Sequence, residues 1–326
     1  MNLFRYKDYI ALNKLQEIGE NEAKEDWVKT GSIKLCNIAQ LDVINEFGNE
    51  MVLYIPYYFY LHQNGLLHDN KIKTFRGMRD LYYFLNRDQI IEKTVGRTWV
   101  PEPYRPLPSI NRAEYQLRFD TKCWTTPPYK KVFSNTKFVY DKPLLIVHNK
   151  YNYEWLKPPV NFIPVPLLDT ILTALKPSYQ IVYIRPSFKF PLASLGYSLD
   201  ENKIVELQDF EMINDKHPEV LIFDDIVKRE HLAYNSVKLM LYANADNFIC
   251  VQGGNSYFAA YFIGKMLILH KKGDEVEKGV YTKDGWFYQM NDELNKEVRV
   301  TGDETEFINH LSMFMDKRNE EKDDQH

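Results

Sequence analysis

The sequence predicts an α/β protein whose helices cover both faces of a parallel sheet. Short apolar runs alternate with helical patterns between residues 143 and 270, an order that is typical of parallel sheets. These runs end in polar or charged residues, as strands do where ligands bind at their carboxyl ends. The length of 326 residues suggests two domains. We predict an N-terminal domain over residues 1–140 and a C-terminal domain over residues 141–318.

The N-terminal domain begins with residues 1–30, which are charged and weakly amphipathic and therefore predict a helical region. The turn Phe47-Gly48-Asn49-Glu50 precedes Met51–Gln63, a tyrosine-rich segment for which we predict a helix in preference to a strand. Pro56 should kink this helix or delay its start, and Asn64-Gly65 should end it. The other elements predicted in this domain are a strand at Lys34–Ala39, a strand at Lys71–Phe75 and a helix at Met78–Asn86.

A proline-rich segment, residues 96–130, separates the two domains. It holds six prolines together with Trp99 and Trp124. Because its aromatic side chains would not favour a free linker, we predict an ordered loop or an inter-domain crossing.

The C-terminal domain has the more regular pattern. Its predicted strands are Leu144–His148, Gln180–Ile184, Lys203–Leu207, Glu219–Phe223, Asn247–Val251 and Lys265–His270. Its predicted helices are Pro166–Leu175, which has proline at its start, Asn235–Ala245, Tyr257–Ile263 and Glu304–Met315. The charged residues 319–326 predict a disordered tail.

Composition and charge exclude several classes of protein. The net charge of −4 and the absence of a lysine or arginine block argue against a nucleic-acid partner. Three cysteines far apart give neither a disulfide framework nor a metal-binding pair, which favours a reducing compartment. The N-terminus lacks a signal-peptide pattern, and the longest apolar run, Met51–Leu61, is too short to span a bilayer. We therefore expect a cytoplasmic protein, with peripheral attachment to a membrane left open.

The turn Gln252-Gly253-Gly254-Asn255-Ser256 is the best candidate for a binding site. It lies between a predicted strand and a predicted helix, and its two glycines are free to adopt positive φ. Asn255 or Ser256 is placed to cap the helix. Unpaired backbone N–H groups at such a turn suit a phosphate group. The alternative is a tight turn that binds no ligand.

Other strand ends supply charged side chains that could join this site. Arg185 follows one strand and could hold a diphosphate through two parallel hydrogen bonds; its alternative partner is a structural carboxylate such as Asp224. Lys150 could add positive charge, with an exposed loop lysine as the alternative. Asp225 could bond ribose hydroxyls, or it could be a solvated or helix-capping acid.

Candidates for catalysis lie mainly in the N-terminal domain. Glu50, at the start of a predicted helix, could act as a general base toward an acceptor hydroxyl; a carboxylate held by the helix dipole is the alternative. His148 and His62 are alternative bases, although a lone histidine is commonly structural. Asn49 and Tyr57, with His62, are the predicted acceptor-binding residues, and core packing is the alternative for the tyrosine.

Several well-known motifs do not occur in the sequence. Neither GxGxxG nor GxxxxGK[ST] is present, which disfavours a simple dinucleotide-binding dehydrogenase or a P-loop NTPase. HExxH, a nucleophile elbow and clustered Cys/His residues are also missing, so we expect neither a metal nor another cofactor.

Five segments of the chain carry a resemblance to a known family. They are FGNEMVLYIPYYFYLHQNGLL (47–67), PLLIVHNKYNYEW (143–155), PPVNFI (158–163), YQIVYIRP (179–186) and YNSVKLMLYANADNFICVQGGNSYFAAYFIGK (234–265). The C-terminal half resembles the nucleotide-sugar-binding half of GT-B glycosyltransferases, more loosely the fucosyltransferase-like ones. It is most similar to little-characterised glycosyltransferases of bacteria and large viruses. The resemblance spans about two thirds of the chain and implies two Rossmann-like halves with a cleft between them.

The resemblance also implies an activity, namely metal-independent and inverting sugar transfer. The donor would be a nucleotide-diphosphate sugar, and the acceptor a glycan or small molecule with a hydroxyl group. The donor would bind Arg185, Asp225, Lys150 and the Gln252–Ser256 turn. The sequence departs from the family in two ways: Pro186 and Ser187 replace the basic cluster after Arg185, and the turn lacks the flanking acid of many retaining enzymes. The alternatives are a nucleotide-sugar epimerase or hydrolase and a non-catalytic sugar- or nucleotide-binding module. The donor sugar, base and oligomeric state are not specified by the sequence.

Overall fold

A computed structural model describes residues 40–43, 46–67, 69–94, 97, 124–153, 157–186, 203–283, 285–290 and 296–315. The helical region predicted for residues 1–30, the strand predicted at Lys34–Ala39, most of the proline-rich segment and the predicted tail lie outside these described residues.

The described strands and helices alternate along the C-terminal half. The strands are β1 (Gln40–Asp42), β2 (Lys71–Phe75), β3 (Ile90–Lys93), β4 (Leu144–His148), β5 (Asn152–Tyr153), β6 (Gln180–Ile184), β7 (Lys203–Ile204), β8 (Leu221–Ile222), β9 (Ala245–Val251), β10 (Lys265–Leu269) and β11 (Glu297–Thr301). The α-helices are α1 (Phe47–Asn49), α2 (Ile55–Gln63), α3 (Tyr129–Phe133), α4 (Val165–Leu175), α5 (Asp209–Lys216), α6 (Phe223–Glu230), α7 (Tyr234–Ala243), α8 (Gly254–Ala259), α9 (Trp286–Gln289) and α10 (Glu304–His310).

The main sheet has six parallel strands in the order β11-β10-β9-β4-β6-β8. From β4 the chain moves outward through β6 to β8. It then returns to the other side of β4 and moves outward again through β9, β10 and β11. The strand order therefore reverses between β4 and β9. The prediction of an α/β fold with a parallel sheet in the C-terminal half is confirmed.

Alternating side chains of the sheet build two apolar layers, as expected for a sheet covered on both faces. Leu145, Val147 and Ile249 face one layer, which α4, α5 and α10 cover. Ile146 and Phe248 face the other layer, which α7 and α8 cover. This second layer continues without interruption into the N-terminal half. The two-domain division near residue 140 stays a prediction, because the described parts of both halves share one core.

The N-terminal half contains a small parallel sheet, β1-β2-β3, and a long helix that changes pitch. A π-helical turn, Glu50–Tyr54, joins α1 to α2, and Pro56 lies in the first turn of α2. In an α-helix, the N–H of residue 56 would donate to the carbonyl of Val52. Proline has no N–H, so it cannot supply this hydrogen bond. The indole Nε1 of Trp124 donates to that carbonyl at 2.7 Å. The predicted proline irregularity thus takes the form of a π-turn with an external donor.

Three predicted elements differ from the structure. Residues predicted as the strand Glu219–Phe223 form only the short β8, because α6 begins at Phe223. The region predicted as the strand Lys203–Leu207 forms the short β7, which pairs with β5 in an antiparallel ribbon outside the main sheet. The helix predicted at Met78–Asn86 is a single 3-10 turn, Arg79–Tyr82. The edge strand β11 was not predicted.

Within the ranges given above, no helix has the length and apolar character needed to cross a membrane.

Candidate functional site

The reversal of strand order between β4 and β9 locates the candidate site. In open parallel sheets, ligands bind outside the carboxyl ends of the strands at such a reversal. His148 pairs in register with Cys250, so both strands end at the same level of the sheet. β4 ends at His148 and is followed by Asn149-Lys150, and β9 is followed by Gln252–Ser256. The site predicted from these two strand ends is therefore brought together by the topology.

The turn after β9 depends on Gly253. Its backbone has φ +135° and ψ −177°, a region that is essentially restricted to glycine. The helix α8 starts directly after it, which places Asn255 and Ser256 inside the first turn rather than at the cap. The prediction that one of them caps the helix is wrong: Ser256 Oγ donates to the Gly253 carbonyl at 2.7 Å, and Asn255 Oδ1 accepts a hydrogen bond from a lysine.

Lys150 lies directly over this turn. A Cβ atom placed on Gly253 would stand 3.3 Å from the Nζ atom of Lys150. Glycine is thus required at position 253 both for its conformation and for the space that the lysine occupies. Asn149 fixes the start of the Lys150 loop, because it is buried and its Nδ2 donates to the carbonyl of Ile163 at 2.9 Å while its Oδ1 accepts from the Lys150 amide at 2.9 Å.

The glycine turn of the N-terminal half packs against the same site. A Cβ atom on Gly254 would lie 2.8 Å from the backbone nitrogen of Gly48, and one on Gly48 would lie 3.2 Å from the Cα atom of Gly254. The two turns are therefore in direct backbone contact. This contact brings α1, and with it Asn49, to the edge of the Gly253–Ser256 turn.

A polar cluster around one carboxylate, Glu275, lies at the ends of β9 and β10. Glu275 accepts hydrogen bonds from Gln252 Nε2 and, at 3.1 Å, from the hydroxyl of Tyr257; His270 Nε2 also lies 3.1 Å from it. Burial would raise the pKa of Glu275, but these hydrogen bonds, that of His270 foremost, hold it below its ordinary value. Glu275 keeps 19% of its side chain exposed. Tyr257 in turn packs edge-on against Trp286, with ring centroids 4.7 Å apart.

Glu275 was not among the functional residues predicted from the sequence. The turn has no acid beside it along the chain. The acid comes instead from five residues beyond His270, at the end of the next strand. The signal that would have found it is the adjacency of β9 and β10 in the sheet.

Lys238 was missed altogether. It lies on α7, beneath the turn, with 1% of its surface exposed, and its Nζ donates to Asn255 Oδ1 at 2.6 Å. Burial lowers the pKa of Lys238 to about 7. A lysine in the apolar pattern YNSVKLMLYA gives no sequence signal that separates it from an exposed helical lysine.

His148 is buried at the end of β4. Its Nδ1 lies 2.8 Å from the hydroxyl of Tyr242, while its Nε2 has no hydrogen-bond partner among the described residues. Burial, with a smaller contribution from the charge of Lys238, lowers the pKa of His148 well below its ordinary value. The imidazole is therefore neutral at physiological pH. Its role as a base stays a prediction.

Arg185 is engaged by a carboxylate that the sequence reasoning did not name. Its Nε and NH2 atoms each lie 2.5 Å from an oxygen of Asp209, which is fully buried at the start of α5. The guanidinium also lies 4.7 Å from the ring centre of Phe210, and Arg185 is 3% exposed. Arg185 thus forms the structural ion pair that was the predicted alternative to ligand binding, but its partner is Asp209 and not Asp224. Binding of a diphosphate by Arg185 stays a prediction that requires this pair to open.

Glu50 is likewise enclosed. It has no exposed surface, accepts hydrogen bonds from Thr74 and, at 2.6 Å, from the hydroxyl of Tyr82, and pairs with buried Arg97 at 2.5 Å. In the described structure it is the acceptor of a buried polar cluster. A role as the base toward an acceptor stays a prediction that requires this cluster to open.

The remaining predicted residues lie apart from the turn or within the core. Asp225 is exposed in the first turn of α6, where the helix dipole favours an acid. Tyr57 is buried in the shared core, which agrees with core packing, the alternative to acceptor binding given for this residue. His62 is exposed near the end of α2 and packs against Phe84.

Two further observations bear on ligands. A cavity of about 350 Å³ lies at the opposite, amino-terminal edge of the sheet, next to Lys142, Lys176 and Gln180, and shares no residue with this site. Within the part of the chain that the structure describes, no group of three or more His, Cys, Asp or Glu side chains is arranged to hold a metal ion. The expectation of a metal-independent reaction stays a prediction.

Comparison with known proteins gives little. No protein-family model matches the chain, and no curated protein matches it in sequence. Among solved structures, it is similar to the catalytic domain of starch synthase IV from Arabidopsis thaliana bound to ADP and acarbose, with 15% identity and a TM-score of 0.30. The similarity covers 83% of this chain and 49% of that chain, so this chain spans about half the length of that neighbour. A likeness this distant assigns neither fold nor function.

Proposed function

We propose that this chain is a glycosyltransferase that binds a nucleotide-diphosphate sugar across the carboxyl ends of β4 and β9 and transfers the sugar to a hydroxyl group of a glycan or other acceptor. The observation that carries the proposal is the position of the Lys150 Nζ atom over Gly253, at the point where the strand order reverses.

The phosphates of the donor would lie on the Gly253–Ser256 turn. The turn offers backbone amides, and Lys150, whose Nζ atom lies over Gly253, supplies positive charge from the facing strand end. Positive groups fixed in this position stabilise the charge that develops on a departing diphosphate. In this proposal the donor site needs no contribution from Arg185, whose ion pair with Asp209 stays closed.

The sugar would lie toward Glu275. A carboxylate, an amide and a phenol converge there, which are groups that bond sugar hydroxyls. Glu275 is the acid of the site with exposed surface, whereas Glu50 has none. Its lowered pKa keeps it ionised near neutral pH, so both of its oxygens can accept hydrogen bonds from hydroxyl groups.

A thermal-shift screen against nucleoside diphosphates and nucleotide sugars tests the proposal. A ligand that binds the folded state stabilises it by mass action, by about 2.7 kcal/mol at a ligand concentration one hundred times the dissociation constant. This stabilisation raises the midpoint temperature of unfolding. We expect a shift in the wild type and a smaller one in Lys150→Met. The control Lys131→Met removes an exposed lysine of α3 and should keep the full shift. A folded wild type that responds to no member of the screen would overturn the proposal.

A non-catalytic binding module is the second candidate, because the predicted bases Glu50 and His148 are both buried. A nucleotide-sugar that binds without being consumed, in the presence of a broad set of sugar acceptors, would favour that module. Release of free sugar without any acceptor would favour a hydrolase on the same site.

A further inference from the structure

Three lysine or arginine side chains are almost completely buried among the described residues. Two of them pair with a carboxylate, and the third does not. Arg97 pairs with Glu50, and Arg185 pairs with Asp209. Lys238 is equally buried, yet its Nζ donates to the neutral amide oxygen of Asn255. No carboxylate of the described residues is among the groups whose charge acts on it. A buried cation without a counter-charge is unfavourable, because burial removes its hydration.

The groups packed around Lys238 stabilise a cation but supply no negative charge. The rings of Phe47 from α1, Tyr242 from α7 and Phe258 from α8 have their centres 5.6, 5.5 and 5.0 Å from its Nζ, and aromatic faces attract a cation. Two other titratable groups act on it from the sheet. Burial raises the pKa of the Cys250 thiol of β9 to about 12, so it stays protonated. His148 of β4 stays neutral.

We propose that the missing negative charge is a phosphate of the bound ligand, and that Lys238 is a positioning residue that acts on this phosphate through Asn255. Asn255 belongs to the turn on which the proposed function places the phosphates, so the identity of the ligand rests on that proposal. The electrostatic claim rests on the structure alone: a buried ammonium lies one side chain away from the turn, and the described residues place no anion beside it.

Binding of the anion and protonation of Lys238 then strengthen each other, as linkage requires. In the empty site, burial lowers the pKa of Lys238 to about 7, so the lysine is partly neutral under physiological conditions. A phosphate on the turn favours the charged form. Ligand binding should therefore take up a proton at pH values above 7.

The isosteric substitution Asn255→Asp tests the electrostatic claim without any ligand. It places a carboxylate at the atom that Lys238 already contacts, so we expect the melting temperature of the ligand-free protein to rise. In a Lys238→Met background the same substitution leaves a partly buried carboxylate unpaired, and the melting temperature should fall. If Asn255→Asp lowers the melting temperature equally in both backgrounds, Lys238 does not lack a counter-charge and the proposal is wrong.

A second arm uses adenosine, guanosine and uridine diphosphate sugars as probes, at about pH 6 and about pH 8.5, on either side of the pKa of Lys238. We expect the ligand-induced shift of the wild type to shrink at least twofold in Lys238→Met and in Asn255→Asp, and to persist in Lys131→Met. A wild-type shift that both variants keep in full would overturn this inference and leave the proposed function standing. The absence of any shift in the wild type would overturn both.

Discussion

Gly253 sets the shape of the candidate site at the scale of a single residue. Its φ of +135° and the nearby Lys150 each disfavour a side chain there. Gly65 offers a matched comparison, because it also has positive φ, at +66°, but an added Cβ would meet nothing within 4 Å. The two glycines thus differ in backbone conformation as well as in crowding, and both differences make a side chain more costly at Gly253.

We predict that Gly253→Ala lowers the free energy of unfolding by about 2–3 kcal/mol, since strain at such a conformation costs about 1–3 kcal/mol and the lysine must also move. Gly65→Ala should lose only about 1 kcal/mol. Urea denaturation measures both. Equal losses in the two variants would contradict the extra cost expected at Gly253 from its glycine-only conformation and from the crowding by Lys150.

The ion pair between Arg185 and Asp209 leads to a second prediction. Asp209→Ala should lower the free energy of unfolding by about 3–5 kcal/mol, because it leaves a buried guanidinium unpaired. The exposed pair of Arg299 and Glu297 is the control: Glu297→Ala should lose less than about 1 kcal/mol. Urea denaturation of both variants checks the difference. A small loss in Asp209→Ala would mean that Arg185 is free to leave this pair and to reach a ligand.

His148 gives a prediction for the pH dependence of stability. Its pKa in the folded protein lies well below the ordinary value of 6.5, through burial and the charge of Lys238. Below pH 6.5 the unfolded chain therefore binds a proton that the folded chain does not, and stability must fall as the pH falls. We expect wild type to lose stability between about pH 6.5 and about pH 5 more steeply than His148→Gln does. Parallel slopes in chemical denaturation at several pH values would contradict this.

At the scale of elements, the contact between α1 and α8 depends on two glycines. In the middle of a helix, alanine is ordinarily more favourable than glycine by about 1 kcal/mol. Here an added Cβ on Gly254 would lie 2.8 Å from a backbone atom of Gly48, whereas one on Gly48 would first meet the ring of Tyr257 at 2.9 Å. A backbone atom yields less readily than a side chain does.

We therefore predict that Gly254→Ala destabilises the protein more than Gly48→Ala does, and that both lose stability despite the helical preference for alanine. Thermal denaturation of the two variants tests the order. A stabilising Gly254→Ala would show that the two helices are not held in contact.

The elements that could be predicted from the sequence are those with strong local signals. β4, β6 and β10 are five-residue strands with four or five buried residues, and their apolar pattern identifies them. Strands were predicted at β7 and β8, but neither their short length nor the place of β7 outside the main sheet could be predicted, because pairing partners decide both. The sequence predicted an irregularity at Pro56 but not its form as a π-turn. The donor to the Val52 carbonyl is Trp124, which is distant in the sequence.

At the scale of the whole molecule, the topology explains which site residues could be predicted. Lys150 and the Gln252–Ser256 turn follow strands directly, so reading the strand ends found them. Lys238 and Asp209 lie within or at the start of helices, and only the packing of those helices against the sheet reveals what they contact. The cleft between two domains stays a prediction, and the described parts of the two halves share an apolar core.

The packing of Trp286 on Tyr257 has a practical consequence. An indole 4.7 Å from a phenol whose hydroxyl touches Glu275 is an intrinsic optical reporter beside the candidate site. A molecule that displaces Glu275 would alter the surroundings of this tyrosine–tryptophan pair, and the change would be read as quenching or a spectral shift of the emission. The protein thus carries its own label-free indicator of occupancy, and Trp286→Phe would silence it.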